Sequence, residues 1–584
     1  MEKLLKKYVS REKPTDAVRE KLKAFHPTLQ NLLFARGITE HADADFFLAP
    51  DFSRDIHDPY LLKDMDKAIA RIWKALEAGE RIGIFSDYDA DGIPGAVVTN
   101  DFFKKIGYEN FEIYIPHRND EGYGMSHDAT DLFKKKGVTL VITIDCGIAD
   151  VGEVEYANSL GLDVIVTDHH LPHEVLPSAY AIINPKQPGC EYPEKMLCGS
   201  GVIWKVICAL LQHEEFKKKY SVTLGWEKWL LDMVGLATLS DMVPLRGENR
   251  TLASYGLYVM RKSPRPGLQK LCQMLKMNQA HLTEEDIGFM ITPRINAASR
   301  MGVPRDAFVM LSETDPVAAG TMAEHLNEIN DERKGVVASM VKEIKKIISE
   351  RSESVRNVIV LGNPEWMPSL LGLVANSFGD EHGRPVFLWG RSGEEMKDVD
   401  GHVILKGSCR AGGDINIMKL MQHASSAFLD FGGHAGAGGF SVSLQHVHEL
   451  EEKLNEAFDA LKHENTEPEP TCVDAEISID EVEWSMYSHI EKLAPFGLDN
   501  PKPLFLISDV VLSSMKQFGK EKNHLELTFH KKNGKAVQAI GFFSDPSKYG
   551  VTLEVGQKIN LVAHIEKSMF RNFPELRLRI VDVI

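Results

Sequence analysis

The amino-acid sequence predicts a multidomain α/β protein whose first large domain is a doubly wound parallel sheet. Three observations carry that expectation. From Arg81 onward, apolar strand-like runs alternate with helical runs, the pattern of parallel strands joined by crossover helices. The chain has 584 residues, more than one hydrophobic core ordinarily holds, so several domains are expected. Several apolar runs stop at carboxylates, as "RIGIFSDYDADG", "TLVITIDCG" and "LDVIVTDHH" do, and the carboxyl ends of parallel strands share one edge.

In chain order, residues 1–45 read as a polar helical segment. "DPYLLKDMDKAIARIWKALEAGE" then reads as an amphipathic helix with Gly79 near its end. The first α/β domain is expected over 46–250. Its strands are "RIGIFSD", "FEIYIP", "TLVITID" and "LDVIVTD", with helices in "GAVVTNDFFKKIG" and "DATDLFKKKG". Residues 251–350 read as mostly helical, ending in a long connecting helix. A smaller α/β domain follows over 351–461. "KHENTEPEPT", 462–471, is polar with two prolines and reads as a linker. Over 472–584, about five short strand-like runs between turn residues suggest a small barrel of the OB type.

Composition narrows the class. The chain is 43% apolar and 26% charged, as soluble globular proteins are, and no run approaches the ~20 apolar residues of a membrane span. The first residues contain no apolar core of a signal peptide. Seven scattered cysteines without a CxxC pair suggest a reducing cytosol rather than a disulfide framework or zinc knuckle. A net charge of −17 taken alone argues against a nucleic-acid binder. The charge is uneven, however. Residues 501–584 hold 13 Lys and Arg against 8 Asp and Glu, about +5, which leaves about −22 for the first 500. Part of that acidity is explained if carboxylates are held for metal ions.

Four apolar runs of the first α/β domain, all read as strands, end in acids. They end at Asp87, Asp89 and Asp91, at Asp145, at Asp168 followed by His169 and His170, and at Asp241 in "VGLATLSDMVPL". Residues two apart on an extended segment face the same way, so Asp89 and Asp91 are expected to point together into the cleft. Adjacent residues face opposite ways, so His169 and His170 are expected to do different jobs. A lone Asp after a strand is most often a cap or turn residue. Four acid-tipped runs in one domain are hard to explain by capping. Carboxylates gathered without a counter-ion repel one another, and divalent cations remove that cost. Carboxylates mixed with imidazoles suit Mn²⁺ ahead of Mg²⁺ or Zn²⁺. The acids suffice for two ions, which ~3.5–4 Å apart can clamp a phosphoryl group and activate water.

"DYDADG", "TIDCG", "TDHH" and "LSDMVPL", in this order, resemble motifs I to IV of the DHH phosphoesterases. "DPYLLKDMDKAI", "IPHRNDEGYGMS", "AIINP", "ITPRINAASRMG", "GGHAGAGG" and "LAPFGLDNPKPLF" extend the resemblance to the RecJ-like exonucleases of that superfamily, from about residue 50 to 505. The resemblance implies that Asp89, Asp91, Asp145, His169 and Asp241 ligate metal, with Asp145 bridging both ions. Asp87 stands near where some relatives have a histidine ligand. His170 is implied to meet the scissile phosphate and Asp168 to orient an imidazole. Water, not a side chain, is the expected nucleophile.

Arg118, Arg294, Asn296 and Arg300 are implied to hold the phosphate backbone, for which guanidinium groups are suited. The smaller α/β domain resembles DHHA1, in which Ser408 and Arg410 of "KGSCRAGG" and Gly433 and His434 of "FGGHAGAGGF" would grip substrate. The glycine-rich stretch reads as a turn between a helix and a strand. Lys and Arg interspersed with Phe518, Phe570 and Phe573 in the last domain suit stacking of single strands. Met367, Ser369, Ser299 and Ala411 depart from the family pattern, in places that bear on substrate grip rather than on metal.

The implied activity is hydrolysis of single-stranded DNA from the 5′ end to 5′-mononucleotides, with two divalent ions, Mn²⁺ or Mg²⁺, in DNA repair and recombination. The implied setting is a cytoplasmic monomer, away from membranes, acting with single-strand-binding protein and a helicase. Two other readings fit the fold: a phosphodiesterase for short oligonucleotides or cyclic dinucleotides, and a non-catalytic replication scaffold. The extra barrel favours a long polymer, and the full set of acids favours an enzyme.

Overall fold

The computed structural model describes residues 8–350, 356–391, 397, 401–413, 415–462, 470–519, 522–549, 551–568 and 574–584. Its contacts divide the chain into two units. One comprises His57–Asp241 and Tyr255–Pro468; the other is assembled from Met1–Ile56, Met242–Ser254 and Glu469–Ile584.

The first unit contains a five-stranded sheet, parallel throughout, in the order Phe111–Tyr114, Arg81–Ser86, Val138–Ile144, Asp163–Thr167, Ala181–Ile183. Its central strands are apolar on both faces because helices cover both. The strand that comes first in the chain sits between the second and the third. Chain order therefore reverses beside Arg81–Ser86, which opens a crevice beyond the carboxyl ends of that strand and Val138–Ile144. The amphipathic helix Met65–Ala78 buries Ala68, Ile69, Ile72, Ala75 and Leu76 and ends at Gly79, whose φ of 68° is the left-handed cap that only glycine adopts freely. The fifth strand lies in "AIINP", which the strand reading passed over.

Leu231–Ser240 corrects an expectation. It is an α-helix, and Asp241 is its C-cap, not a strand end. Residues 231–238 are all buried, so the run has no polar face to betray its period. An apolar run of this length reads equally well as buried helix or buried strand.

Pro316–Glu350 is the long helix expected before the second sheet. That sheet is mixed, in the order Asp430–Gly433, Ala437–Ser443, Ile404–Arg410, Val386–Gly390, Ile359–Gly362. The glycine-rich stretch is not a turn between helix and strand. It forms a hairpin of its own, Asp430–Gly433 antiparallel to Ala437–Ser443. Gly433 takes φ 147° and packs against the Ala437 carbonyl where a Cβ would collide. Small residues permit that approach.

In the second unit, seven strands pair in the order Ala475–Glu476, Phe505–Val511, Lys558–Ser568, Glu575–Val583, Ala536–Gly541, His524–His530, Ser514–Phe518. Among the described residues no pairing joins the two outer strands. "PLFLISDVVLSSM", read as one run, gives two strands. Of the linker reading, 463–469 fall outside the described residues, and Thr471–Val473 is a strand.

The N-terminal segment is neither wholly helical nor polar. Tyr8–Ser10 pairs in parallel with Thr471–Val473, and the Tyr8 hydroxyl donates to Asp582. Leu29, Leu32 and Leu33 are buried in one core with Ile477, Ile490 and Phe505. Two buried arginines pin the three pieces together. Arg36 donates to Asn500 Oδ1 at 2.7 Å, Leu32 O at 2.8 Å and Pro501 O at 2.6 Å. Arg250, from the middle piece, donates to Phe47 O at 2.7 Å and Ala494 O at 3.0 Å. Among the described residues no helix is long and apolar enough to cross a membrane.

Arg36→Ala would remove the donor from three acceptors, two of them buried. The expected cost is about 3 kcal/mol, read as a lower melting transition and as new protease cleavage within residues 16–48. An unchanged melt would mean that apolar packing alone joins the pieces.

Candidate metal centre

The site is built where the chain order reverses. Asp145 follows Val138–Ile144 directly and adopts φ 62°, a left-handed conformation that Asp tolerates better than most residues. Its carboxylate meets the first turn of the helix Gly199–Gln212, where a Cβ on Gly199 would lie 2.5 Å from Asp145 Cβ. The same turn donates its free amides to a second acid: Gly199 N to Asp91 Oδ2 at 2.6 Å and Ser200 N to Asp91 Oδ1 at 2.7 Å. A helix N-terminus is a natural seat for a carboxylate.

Asp89 and Asp91 do not point together as alternation predicted. Asp91 is at φ −108°, ψ −54°, capping the helix Gly92–Lys105, so the segment has already left the extended conformation. Asp89 Oδ1 accepts from Asp91 N at 2.7 Å. The two acids enter different groups. Asp87, Asp89 and Asp145 bring ligand atoms within 4.8 Å of one another, as do Asp91, His169 and Asp241, and Asp145, His169 and His170. Asp145 and His169 belong to two groups each. His169 Nε2 lies 3.1 Å from Asp145 Oδ1 and 3.7 Å from both Asp91 Oδ2 and Asp241 Oδ2.

Charge in the cluster is frustrated. Burial, then mutual repulsion, pushes Asp87 and Asp145 well above the usual carboxylate range, Asp91 to about 6 and Asp241 to about 8. Burial and the neighbouring His170 charge lower His169 to about 3, so its imidazole is neutral, as a ligand must be. His170 differs. Burial opposes its charge, but the Asp168 carboxylate outweighs burial and raises it to about 9. Asp168 Oδ1 accepts from His170 Nδ1 at 2.8 Å, His169 N at 2.7 Å and His170 N at 3.0 Å, and Oδ2 accepts from Ile148 N at 2.9 Å. Burial would raise Asp168, yet these donors hold it below the ordinary value.

A cation fits this donor set. Asp87 Oδ1 and Asp145 Oδ1 are buried with no hydrogen-bond donor, a state that is costly unless another positive charge is present. The groups linked through Asp145 and His169 have the composition of a two-ion site, and their oxygen and imidazole donors suit Mn²⁺ or Mg²⁺.

Around the cluster, Arg118 lies over the Tyr88 ring at 5.0 Å and makes no ion pair among the described residues. Arg300 donates to Ser369 O at 2.6 Å, and Ser369 Oγ donates to Arg300 O at 2.8 Å. Burial, Arg118 and Arg333 depress Arg300 to about 9, with Arg410 adding to the effect. The structure thus gathers Arg118, Arg300 and Arg410, together with Arg333, which the sequence reading missed. Asn296 is used differently: its Oδ1 accepts from Ala90 N at 2.9 Å and holds the loop between Asp89 and Asp91. Arg294 turns to the long helix, donating to Asn327 Oδ1 and to Met290 O, and of the gathered arginines it feels Arg333. Ser408 and Arg410 lie on the strand Ile404–Arg410, and Gly433 and His434 at the exposed end of the glycine hairpin.

Three further residues went unassigned in the sequence. Tyr123 Oη donates to Asp145 O at 2.9 Å and lies 3.0 Å from His170 Nδ1. Asn184 donates to His170 O at 2.9 Å. Lys186, its charge disfavoured by burial, feels Asp241 and Asp168. Their only signal was membership of "EGYG" and "AIINPK", stretches with no chemistry legible in isolation.

Comparison with known proteins fits this arrangement. Residues 81–238 match the DHH family, N-terminal domain; 355–465 match the DHHA1 domain; 473–582 match the RecJ OB domain. The single-stranded-DNA-specific exonuclease RecJ of Bacillus subtilis is 32% identical over 97% of this chain and 69% of its own length. The protein of that name from Haemophilus influenzae is 30% identical over 96% of each chain. The crystal structure of RecJ from Thermus thermophilus with Mn²⁺ shares the fold, with a TM-score of 0.78 at 24% identity over 99% of this chain and 79% of that one. A manganese-bound exonuclease RecJ aligns at 29% identity and TM-score 0.56 over 70% of this chain and 96% of that one.

The raised carboxyl groups predict coupled metal and proton exchange. Without metal, protons retained by Asp91 and Asp241 stabilise the fold at low pH, and that contribution is lost as pH rises through about 6 and about 8. Mn²⁺ should displace those protons, so its affinity should fall as pH is lowered from 8 to 6. Calorimetric titration in buffers of different ionisation heat should register proton release at pH 7. A pH-independent affinity would mean that the acids are already ionised without metal.

Proposed function

The chain belongs to the RecJ family of single-stranded-DNA-specific exonucleases, and we propose that strand hydrolysis takes place at the acid and histidine cluster beyond its parallel sheet. The protein is a metal-dependent nuclease that hydrolyses single-stranded DNA. The observation that carries the site assignment is that Asp145 and His169 each belong to two ligand groups, which links Asp87 and Asp89 on one side to Asp91 and Asp241 on the other. On this reading Asp87, Asp89 and Asp145 hold one ion, and Asp91, Asp145, His169 and Asp241 the other. Mn²⁺ or Mg²⁺, when bound, supplies the charge that offsets negative charge on the phosphoryl oxygens and activates the attacking water.

The chain's own residues supply the rest. His170 is held at Nδ1 by Asp168, leaving Nε2 to face a phosphate oxygen, and its raised pKa keeps it cationic as charge develops there. Arg118, Arg300 and Arg410 form an anion-seeking group in which Arg118 and Arg410 disfavour the charge on Arg300, a strain that a phosphate would relieve. Asn296 acts through Ala90 as a positioning residue for the loop carrying Asp89 and Asp91. Arg294, engaged with Asn327, buttresses the helix; Ser408, Gly433 and His434 belong to the DHHA1 part that grips the strand. The polarity is 5′ to 3′ with mononucleotide products, in repair and recombination, by a cytoplasmic monomer supplied with strands by a helicase and single-strand-binding protein.

The OB domain offers a stacking face. His524 packs on Phe518 at 5.2 Å and on Phe543 at 5.0 Å, and Arg579 lies 4.3 Å over Phe542. Phe543 is 77% exposed at φ 47°, an uncommon conformation for a bulky residue. Aromatic faces beside guanidinium groups are how such domains hold single strands. Phe570 and Phe573 lie outside the described residues. The full acid set disfavours a scaffold, and the OB domain disfavours a cyclic dinucleotide substrate.

Asp145→Asn, which keeps the left-handed backbone comfortable, should lower release of 5′-labelled mononucleotide by about a thousandfold or more while strand binding persists. His169→Ala should weaken Mn²⁺ binding and regain activity partly at high Mn²⁺. His170→Ala should bind Mn²⁺ normally yet turn over about a hundredfold more slowly. Equal loss of metal affinity in both histidine variants would make them two ligands and undo the division.

Truncation cannot test the OB domain, since Leu29, Leu32 and Leu33 share its core. Phe543→Ala with Arg579→Ala should instead weaken binding of a long oligonucleotide by about tenfold and reduce the salt slope by about one. An unchanged affinity and slope would remove this face from the strand's path.

A further inference from the structure

The helix bearing Arg294, Asn296 and Arg300 is preceded by an irregular turn. Thr283 caps a short α-helical turn, Glu284–Asp286; residues Ile287–Ile291 then form a π-helical turn before α-helix resumes at Thr292. π-turns are rare and recur at functional sites, because the extra residue re-aims side chains. Here Ile287 and Ile291 are fully buried, while Phe289 between them is 77% exposed. Beside it, a Cβ added to Gly288 would meet nothing within 4 Å, so the space next to the ring is open. Leaving a phenyl ring in water forfeits one of the larger gains a side chain can make on folding.

We propose that Phe289 is a stacking platform for a base of the single strand, a few nucleotides from the scissile phosphate. The proposal rests on the functional reading above. Its position argues for a base as the occupant. The same helix carries Asn296, which holds the Ala90 amide, and Arg300, whose guanidinium feels Asp89. Arg300 lies eleven positions after Phe289, about 16 Å of helix, comparable to the run of a few nucleotides. The other end of the turn is fixed to the cluster as well: Thr292 Oγ1 and Ser240 Oγ share a hydrogen bond at 2.6 Å, and Ser240 ends the helix capped by Asp241. A strand whose phosphates are held at Arg300 and that follows this helix meets the ring. Stacking on a phenyl face accepts every base, as an exonuclease requires.

The test is binding of a fluorescent twelve-nucleotide oligothymidylate to the full chain in EDTA, read by anisotropy. Phe289→Ala should weaken binding by about tenfold. Phe289→Trp should restore it. The salt slope and the melting temperature should match wild type, because a stacking contact releases no counterions and the ring supports no core. Unchanged affinity in Phe289→Ala overturns the proposal. So does equal weakening in the Ala and Trp variants with a lowered melt, which would make the residue structural. Cleavage of a dinucleotide with Mn²⁺ by the wild-type chain is scored separately. Failure there counts against the functional reading, while the binding series still decides Phe289.

Discussion

Carboxylates crowded into one buried corner cannot all ionise together unless a cation joins them, and much of the first unit follows from that. Two unit charges ~4 Å apart interact by about 4 kcal/mol at an effective dielectric of about 20. Asp87, Asp89, Asp91, Asp145 and Asp241 multiply that repulsion in a space from which water is largely excluded. Protein dipoles answer part of it. The free amides of Gly199 and Ser200 take up Asp91, and those of Asp91 and Gly92 take up Asp89. The Oδ1 atoms of Asp87 and Asp145 receive no such donor, and these are the atoms that the proposed ions would meet.

Holding repelling groups within 4.8 Å requires a scaffold that cannot relax away. The parallel sheet supplies it, because the strand ends are fixed by ladders inside an apolar core. Tight packing adds to it. At Gly95 a Cβ would lie 2.6 Å from Ile144 Cγ2, one residue before Asp145, and at Gly199 it would strike Asp145 itself. Substitution at Gly199 would press on the Asp145 carboxylate directly, and at Gly95 on the side chain of the residue before it. The left-handed Asp145 belongs to the same economy: a strained backbone is kept where surrounding contacts over-determine it.

The strands ending at Ser86, Ile144 and Thr167 were legible because β-branched runs buried on both faces carry an unbroken apolar signal, and the acids that end them stand out in composition. Asp241 was legible as an acid but not as a helix cap, since a fully buried helix shows no polar face. The divergence of Asp89 from Asp91 was hidden because alternation holds only while the backbone is extended, and the chain turns into a helix between them. The N-terminal core was hidden for another reason. Leu29, Leu32 and Leu33 find partners more than 400 residues away, and no local pattern encodes a contact of that sequence separation. The arginines sorted only in three dimensions: Arg118, Arg300 and Arg410 converge, whereas Arg294 spends its donors on Asn327.

The order Asp-His-His has a physical reason. Asp168 folds back in an Asx-type turn so that one oxygen accepts both following amides and the Nδ1 proton of the second histidine. Its other oxygen takes the Ile148 amide. Both oxygens are thereby occupied, and Asp168 has little left to offer a metal ion although it sits among the candidate ligands. The reach of this short side chain also decides which imidazole is charged. His170 comes within hydrogen-bonding distance and is raised to about 9, whereas burial and the His170 charge lower His169 to about 3. Two identical side chains on consecutive residues are thus split into a neutral imidazole by burial and a fixed cation by the Asp168 carboxylate. Asp168 can hold His170 in this way because it precedes the pair, where its turn engages both following amides and the second ring.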